Sequence, residues 1–330
     1  MVTGIGLGLV LTTVSACSSG GSPGATSTPT LAAASSSAPA ATLSASPSAS
    51  PSAAPSATRA TARPVVRVAP RPTRLVSRVF AADGVRQWLH CEGAGAVTVL
   101  VVPGLGSTAT DWSQVLPSLQ GVTRTCIYDR PGLGLSPARP SSRQVVDAGM
   151  YAGELGALLG AAHEPGPYVV LGHSFGGLIA RAFVRRYPSG VRAVVLAESV
   201  TPGDPTLGRY WTEAGHQVDM VASSAATGGG PYLGSRPLLV LSASNPEGDH
   251  LNGLTYGQPQ WMIDLWRKEQ GQDLGLSTDS IQVIAHSGHV LQQDDPAAVD
   301  EAVREVVQAA VRHGRLACSR VWAGVAATCR

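Results

Sequence analysis

Tyr168-Val169-Val170-Leu171-Gly172-His173-Ser174-Phe175-Gly176-Gly177 is the stretch that decides the architecture. Its first four residues are a short apolar, β-branched run of the kind a parallel sheet buries on both faces. Leu178 to Tyr187 then has helical spacing and stops at Pro188. Ser174 therefore stands at a strand-to-helix junction. In a chain with 38 glycines the pattern G-x-S-x-G says little alone, and the junction gives it weight. A serine in such a turn presents its hydroxyl at the sheet's carboxyl edge, and Gly172 and Gly176 leave room where strand and helix approach. The helix N-terminus aims free backbone N–H groups, Phe175's first, at any oxyanion formed there.

The pattern repeats on both sides. Val85 to His90 reads as a first strand, and Val97 to Val102 is a continuous β-branched run broken by Pro103-Gly104-Leu105-Gly106. Asp111 to Gln120 is expected to be a helix, Thr123 to Tyr128 a buried strand and Val145 to Gly160 a second helix. After the elbow helix come a strand at Val191 to Ala197 ending on Glu198, and a stretch from Ser199 to Arg236 without clear period, where a lid would be inserted. Then follow a strand at Pro237 to Ser242, a helix at Gln258 to Gln270, a last strand at Ile281 to Ala285, and a closing helix at Pro296 to His313 capped by Asp294 or Asp295. Strands alternating with helices imply an α/β fold, a mostly parallel sheet with helices on both faces, which takes ligands at the strands' carboxyl ends. Gly132 and Gly134 also follow a strand, but a third glycine is absent and Pro137 and Pro140 interrupt any helix there, which excludes a dinucleotide fingerprint.

The ends of the chain read differently. Gly4 to Val14 is apolar and too short to span a bilayer, as in a signal-peptide core. Val14-Ser15-Ala16-Cys17 resembles a bacterial lipobox, which implies cleavage before Cys17 and lipidation of its thiol; the absence of Arg or Lys near Met1 departs from that pattern, and ordinary secretion with cleavage near Ala16 is the alternative. Residues 1–17 are thus read as a signal segment and 18–76 as a Ser/Ala/Pro/Thr-rich tether that cannot bury a core. Arg59, Arg63, Arg67, Arg71, Arg74 and Arg78 form a spaced basic run, read as a solvated linker with contact to an anionic surface as its alternative. A net charge of +2 gives no field that would indicate nucleic acid.

Four cysteines remain after Cys17 in a chain read as exported, so disulfides are expected, with three possible connectivities. Cys91 and Cys126 lie in or beside strands of one domain, and Cys318 and Cys329 bracket a short segment in the tail, residues 314–330. Cys91 is therefore paired with Cys126 and Cys318 with Cys329. No metal is expected, since no C-x-x-C spacing occurs.

From about residue 77 to 313, with a lid at about 199–236, the chain resembles the α/β-hydrolase superfamily. The resemblance is carried by Val101-Val102-Pro103-Gly104-Leu105-Gly106, Tyr128-Asp129-Arg130-Pro131-Gly132-Leu133-Gly134-Leu135-Ser136, the elbow, and Ser287-Gly288-His289 after the last strand. It implies that Ser174 is a nucleophile and His289 its base, with His286 and His173 as rivals and His173 expected to pack beneath the elbow. It places the acid at Glu198, held by its strand, with Glu247 and Asp249 as alternatives in a later loop. The oxyanion donors would be the backbone N–H groups of Leu105 and Phe175. Pro103 stands where some members carry His, which alters how that loop is held without removing a backbone donor.

These residues imply an exported serine hydrolase acting on a small acyl substrate, an ester in preference to an amide, through an acyl-enzyme and without a cofactor. The superfamily's short-peptide aminopeptidases and a low-turnover binding protein on the same fold are the other classes to separate. The membrane partner would be reached through the lipid on Cys17. Oligomeric state and acyl length are not legible in the sequence.

Overall fold

The computed structural model describes residues 74–140, 145–204, 208–244, 249–251, 254–256, 260–317 and 327–329. The signal segment with Cys17, nearly all of the tether, Glu247 and Cys318 lie outside the described residues, and so does the expected Cys318–Cys329 bond.

In chain order the strands are β1 (Val76–Ala82), β2 (Val85–Glu92), β3 (Thr98–Val102), β4 (Arg124–Tyr128), β5 (Val145–Val146), β6 (Tyr168–His173), β7 (Val191–Ala197), β8 (Tyr210–Glu213), β9 (His216–Asp219), β10 (Leu238–Ala243), β11 (Asp249–Leu251), β12 (Leu254–Tyr256), β13 (Ser280–Ala285) and β14 (Ala327–Cys329). The α-helices are α1 (Leu116–Val122), α2 (Ala148–Ala161), α3 (Phe175–Arg186), α4 (Met220–Thr227), α5 (Gln260–Gln272), α6 (Leu291–Asp294) and α7 (Pro296–Arg312).

Among the described residues nine strands form one sheet in the order β1-β2-β4-β3-β6-β7-β10-β13-β14. Its centre, from β4 to β13, is parallel, while β1, β2 and β14 pair antiparallel at the edges. Side chains alternate between the faces. Ile127, Val101, Leu171, Val195, Leu239 and Ile281 sit in register across six strands and pack beneath α1 and α7. Cys126, Leu100, Val170, Val194 and Leu238 form the matching row on the other face, beneath α2 and α3. Truncating a fully buried member of either row, Leu171→Ala for example, costs about 2–5 kcal/mol.

Several boundaries differ from the sequence reading. The expected first strand is the second of a hairpin, because Asp83 and Gly84 both take positive φ (50° and 73°) and turn β1 back onto β2. Among the described residues the sheet therefore starts at Val76, and the last two arginines of the basic run make contacts with the domain. Arg74 bonds Glu164 at 2.9 Å, and Arg78 lies over the Phe80 ring. The helix expected over 111–120 is split into a 3-10 turn at Ala109–Trp112 and α1, since Pro117 has no N–H to donate and must occupy a first turn. Val145 and Val146 are not helical: they pair with β9, and α2 begins only after Asp147, whose side chain accepts the Met150 N–H at 2.9 Å. The closing helix is capped by Asp295, which accepts from Ala298 N–H at 3.0 Å.

The segment read as a lid is folded where described. β8 and β9 form a hairpin, β5 adds a third strand, and α4 follows, its Ser223 hydroxyl accepting the Ala148 N–H at the start of α2. Cys91 and Cys126 are directly opposite each other on β2 and β4 and form a disulfide. No helix among the described residues is long and apolar enough to cross a membrane.

Candidate active site

The parallel register puts His173, Ala197, Leu241 and Val283 in one row near the carboxyl edge. The residues after them converge there. Ser174 follows β6, Glu198 follows β7, and His289 stands four residues beyond the end of β13.

Ser174 is the strained point of the elbow, with φ 52° and ψ −125°. A non-glycine residue held there costs on the order of 1–3 kcal/mol. Three backbone hydrogen bonds pin it: its N–H donates to Ala197 O at 3.1 Å, and its carbonyl accepts from Gly177 and Val200 at 2.9 and 3.1 Å. A Cβ at Gly172 would lie 2.7 Å from Gly176 O, and one at Gly176 would collide with the Val102 and Pro103 carbonyls. Both glycines are thus required by the crossing of β3, β6 and α3.

His289 Nε2 lies 3.0 Å from Ser174 Oγ, and its Nδ1 lies 3.3 Å from Glu198 Oε2. A carboxylate only accepts, so Nδ1 carries the proton and the Nε2 lone pair faces the serine hydroxyl. Glu198 is 4% exposed and also has positive φ (44°). Its N–H donates to Leu241 O at 2.8 Å, and its other oxygen accepts the Ala243 N–H at 2.6 Å, so strand ends fix it on both sides. His173 lies buried beneath the elbow and donates from Nε2 to the His289 carbonyl at 2.8 Å. Burial, and then the charge of His289, push the His173 imidazole down to about 3, so it is neutral at ordinary pH. His286 is exposed and lies apart from this set. Asp249 is in the short β11 hairpin; its side chain, like Glu247, is outside what the structure describes.

Among the described residues, neither the Leu105 nor the Phe175 N–H has an acceptor. Both residues adjoin the serine along the chain or in space: a Cβ on Gly104, which precedes Leu105, would sit 3.2 Å from Ser174 Cβ, and Phe175 follows Ser174 and opens α3. Trp211 of β8 tilts over the Phe175 ring at 6.4 Å, and Trp266 of α5 meets His289 edge-on at 6.0 Å, so aromatic side chains line the approach. This arrangement can deprotonate a hydroxyl as it attacks and hold an anion beside two N–H donors.

A buried charge cluster behind the site was not legible in the sequence. Arg130 and Glu213, both fully buried, pair through Nε–Oε2 at 2.8 Å and Nη2–Oε1 at 2.7 Å, and Tyr151 donates its hydroxyl to Glu213 at 2.8 Å. Burial pushes the Glu213 carboxyl up, but the Arg130 charge and hydrogen bonds, with the Gly106 N–H and the Tyr151 hydroxyl, outweigh it and hold the group below the usual carboxylate range. Arg139 and Glu154 form a second buried pair beside Tyr151. Arg130 stands in a loop whose glycines are its clearest sequence feature. Glu213 lay in a segment with no period, and nothing in the sequence joins the two.

Comparison with known proteins agrees with this fold. The alpha/beta hydrolase fold family matches residues 97–291. The chain is 25% identical over 236 residues to the uncharacterized protein YqjL of Bacillus subtilis (strain 168), covering 66% of this chain and 86% of that one. It is 34% identical over 136 residues to the 2-hydroxymuconate semialdehyde hydrolase of Pseudomonas sp. (strain CF600), covering 40% of this chain and 46% of that enzyme. Among solved structures, a thermophilic esterase from Thermogutta terrifontis superposes with a TM-score of 0.51 at 20% identity, over 72% of this chain and 99% of the esterase, a likeness of fold. A family match spanning the strand before the oxyanion-side loop through the loop that carries His289, on a sheet of this order, has one meaning: the chain belongs to the alpha/beta hydrolase fold family.

Proposed function

We propose that this protein is a serine hydrolase that cleaves carboxylic esters through an acyl-enzyme on Ser174. The single observation that carries the reading is the chain of contacts from Ser174 Oγ to His289 Nε2 at 3.0 Å and from His289 Nδ1 to Glu198 Oε2 at 3.3 Å, at the edge of a strained elbow. His289 takes the hydroxyl proton as Ser174 attacks the acyl carbon, and Glu198 holds the ring and stabilises its charged form. The Leu105 and Phe175 N–H groups receive the oxyanion. His289 then returns the proton to the departing alkoxide, and water repeats the sequence to release the acid. A hydrolase named among the partial relatives and an esterase of the same fold support this class. An ester is preferred because an alkoxide leaves with less help than an amine.

Export, with attachment through a lipid on Cys17, belongs to the same reading. The Cys91–Cys126 bond supports it, since such bonds persist in oxidising compartments.

Incubation with a fluorophosphonate probe tests the reading. Folded wild-type protein should become labelled on one serine and Ser174→Ala should not. Labelling that survives Ser174→Ala, or none in the wild type, overturns it.

A further inference from the structure

The oxyanion-side loop is held from the side opposite Ser174. Arg130 donates from Nη1 to the Pro103 carbonyl at 2.7 Å and from Nη2 to the Gly104 carbonyl at 2.5 Å, and its other hydrogen bonds go to Glu213. Glu213 Oε1 in turn accepts the Gly106 N–H at 2.7 Å. Leu105 is thus bracketed: the peptide before it is fixed through Gly104 O, and the peptide after it through Gly106 N.

The consequence for Leu105 follows from peptide geometry. The Gly104–Leu105 bond is trans, so its C=O and N–H point in opposite directions in one plane. Pulling Gly104 O toward Arg130 turns the Leu105 N–H away from Arg130. The elbow lies near this loop, since a Cβ on Gly104 would meet His173 and Ser174. The same guanidinium lies 6.0 Å from the Phe175 ring centroid, so it touches the residue supplying the other donor. A planar fork of five donors can serve two carbonyls and a carboxylate together, which an ammonium cannot.

We propose that Arg130 and Glu213 are positioning residues that orient the Leu105 N–H for oxyanion binding, so that the inserted hairpin, through Glu213, completes the hole. The inference rests on the serine-hydrolase reading above. Neither side chain touches the reacting atoms. Glu213 stands at the end of β8, within the segment read as a lid. That segment thereby contributes a structural member to the site.

The test compares Glu213→Gln, Arg130→Lys and the double variant Arg130→Met/Glu213→Leu in the full chain. Two rates are read: labelling of Ser174 by a fluorophosphonate, and kcat/KM for an ester against its thionoester counterpart. Sulfur accepts hydrogen bonds weakly, so a thionoester gains little from the hole, and the ratio of the two reports the donors and not the general soundness of the fold. Each single variant should label about 100-fold more slowly, the loss typical of one oxyanion donor, with KM little changed and the ester-to-thionoester ratio reduced. The double variant removes both buried charges and should recover the melting temperature lost in the singles while staying slow. Recovery of the wild-type rate together with stability in the double variant, or a folded single variant with wild-type rate and ratio, overturns the inference alone. An unlabelled wild-type protein overturns the nucleophile assignment and this inference with it.

Discussion

His173 donates to the backbone carbonyl of His289 at 2.8 Å, so the residue next to the nucleophile holds the loop that carries the base. Its partner is a carbonyl, which fixes the proton on Nε2, and Nδ1 has no acceptor or donor among the described residues. The His173 ring is neutral in the folded protein and would be charged in the unfolded chain below about pH 6.5.

That difference sets a pH dependence. Because the folded imidazole is held down to about 3, the unfolded chain binds one more proton between that value and about pH 6.5. Stability from this group is complete above that window and falls as pH drops through it, by about 1.4 kcal/mol per pH unit. Denaturant titrations from pH 7 to 4 should show the slope in the wild type and lack this component in His173→Gln. An unchanged slope in the variant would mean that other groups carry the acid sensitivity.

Glu198→Gln should fold normally and lose about 10⁴-fold in kcat, because an amide can donate to the imidazole and stabilise the wrong tautomer. Asp249→Asn and Glu247→Gln should retain near-normal kcat. Steady-state kinetics on the three purified proteins decides it. A normal Glu198→Gln beside an impaired partner moves the acid to the later loop.

Replacing both Cys91 and Cys126 by Ala should destabilise the domain by about 2–5 kcal/mol, since the bond closes a loop of 35 residues. Thermal melts with and without reductant measure this, and the double variant should be insensitive to reductant. The bond ties β2 to β4, and β3 stands between β4 and the strand that leads to the serine, so Ser174 labelling below the transition should not change.

Glu154→Leu leaves the Arg139 guanidinium buried without its carboxylate and should cost about 3–5 kcal/mol. Pairing it with Arg139→Met should recover most of the loss. Chemical denaturation of the two variants tests whether this pair is a stability element independent of catalysis.

The central sheet was legible because parallel strands buried on both faces are nearly continuous apolar runs, and Val97–Val102, Tyr168–Leu171 and Val191–Ala197 are of that kind. The same run made Glu198 visible, as a carboxylate following a strand without a gap. What failed was set by chemistry outside the period. Pro117 splits a helix, Asp147 moves a helix start past two β-branched residues, and Asp83-Gly84 is a hairpin signal that the apolar period does not register. The short elements of the inserted segment take their form from tertiary partners. Val145 is a strand residue because Gln217 lies beside it, and Glu213 matters because Arg130, 83 residues away, is buried against it.

The wide separation of the site's members along the chain gives activity a particular value as an observable. Ser174 and His289 are 115 residues apart and His289 and Glu198 are 91 apart, each at the end of a different parallel strand. Contacts of that span close late, after local helices and the hairpin have formed. During refolding, regained reactivity of Ser174 should lag the return of helical signal, so a serine probe becomes a clock for the docking of β13 and not for collapse.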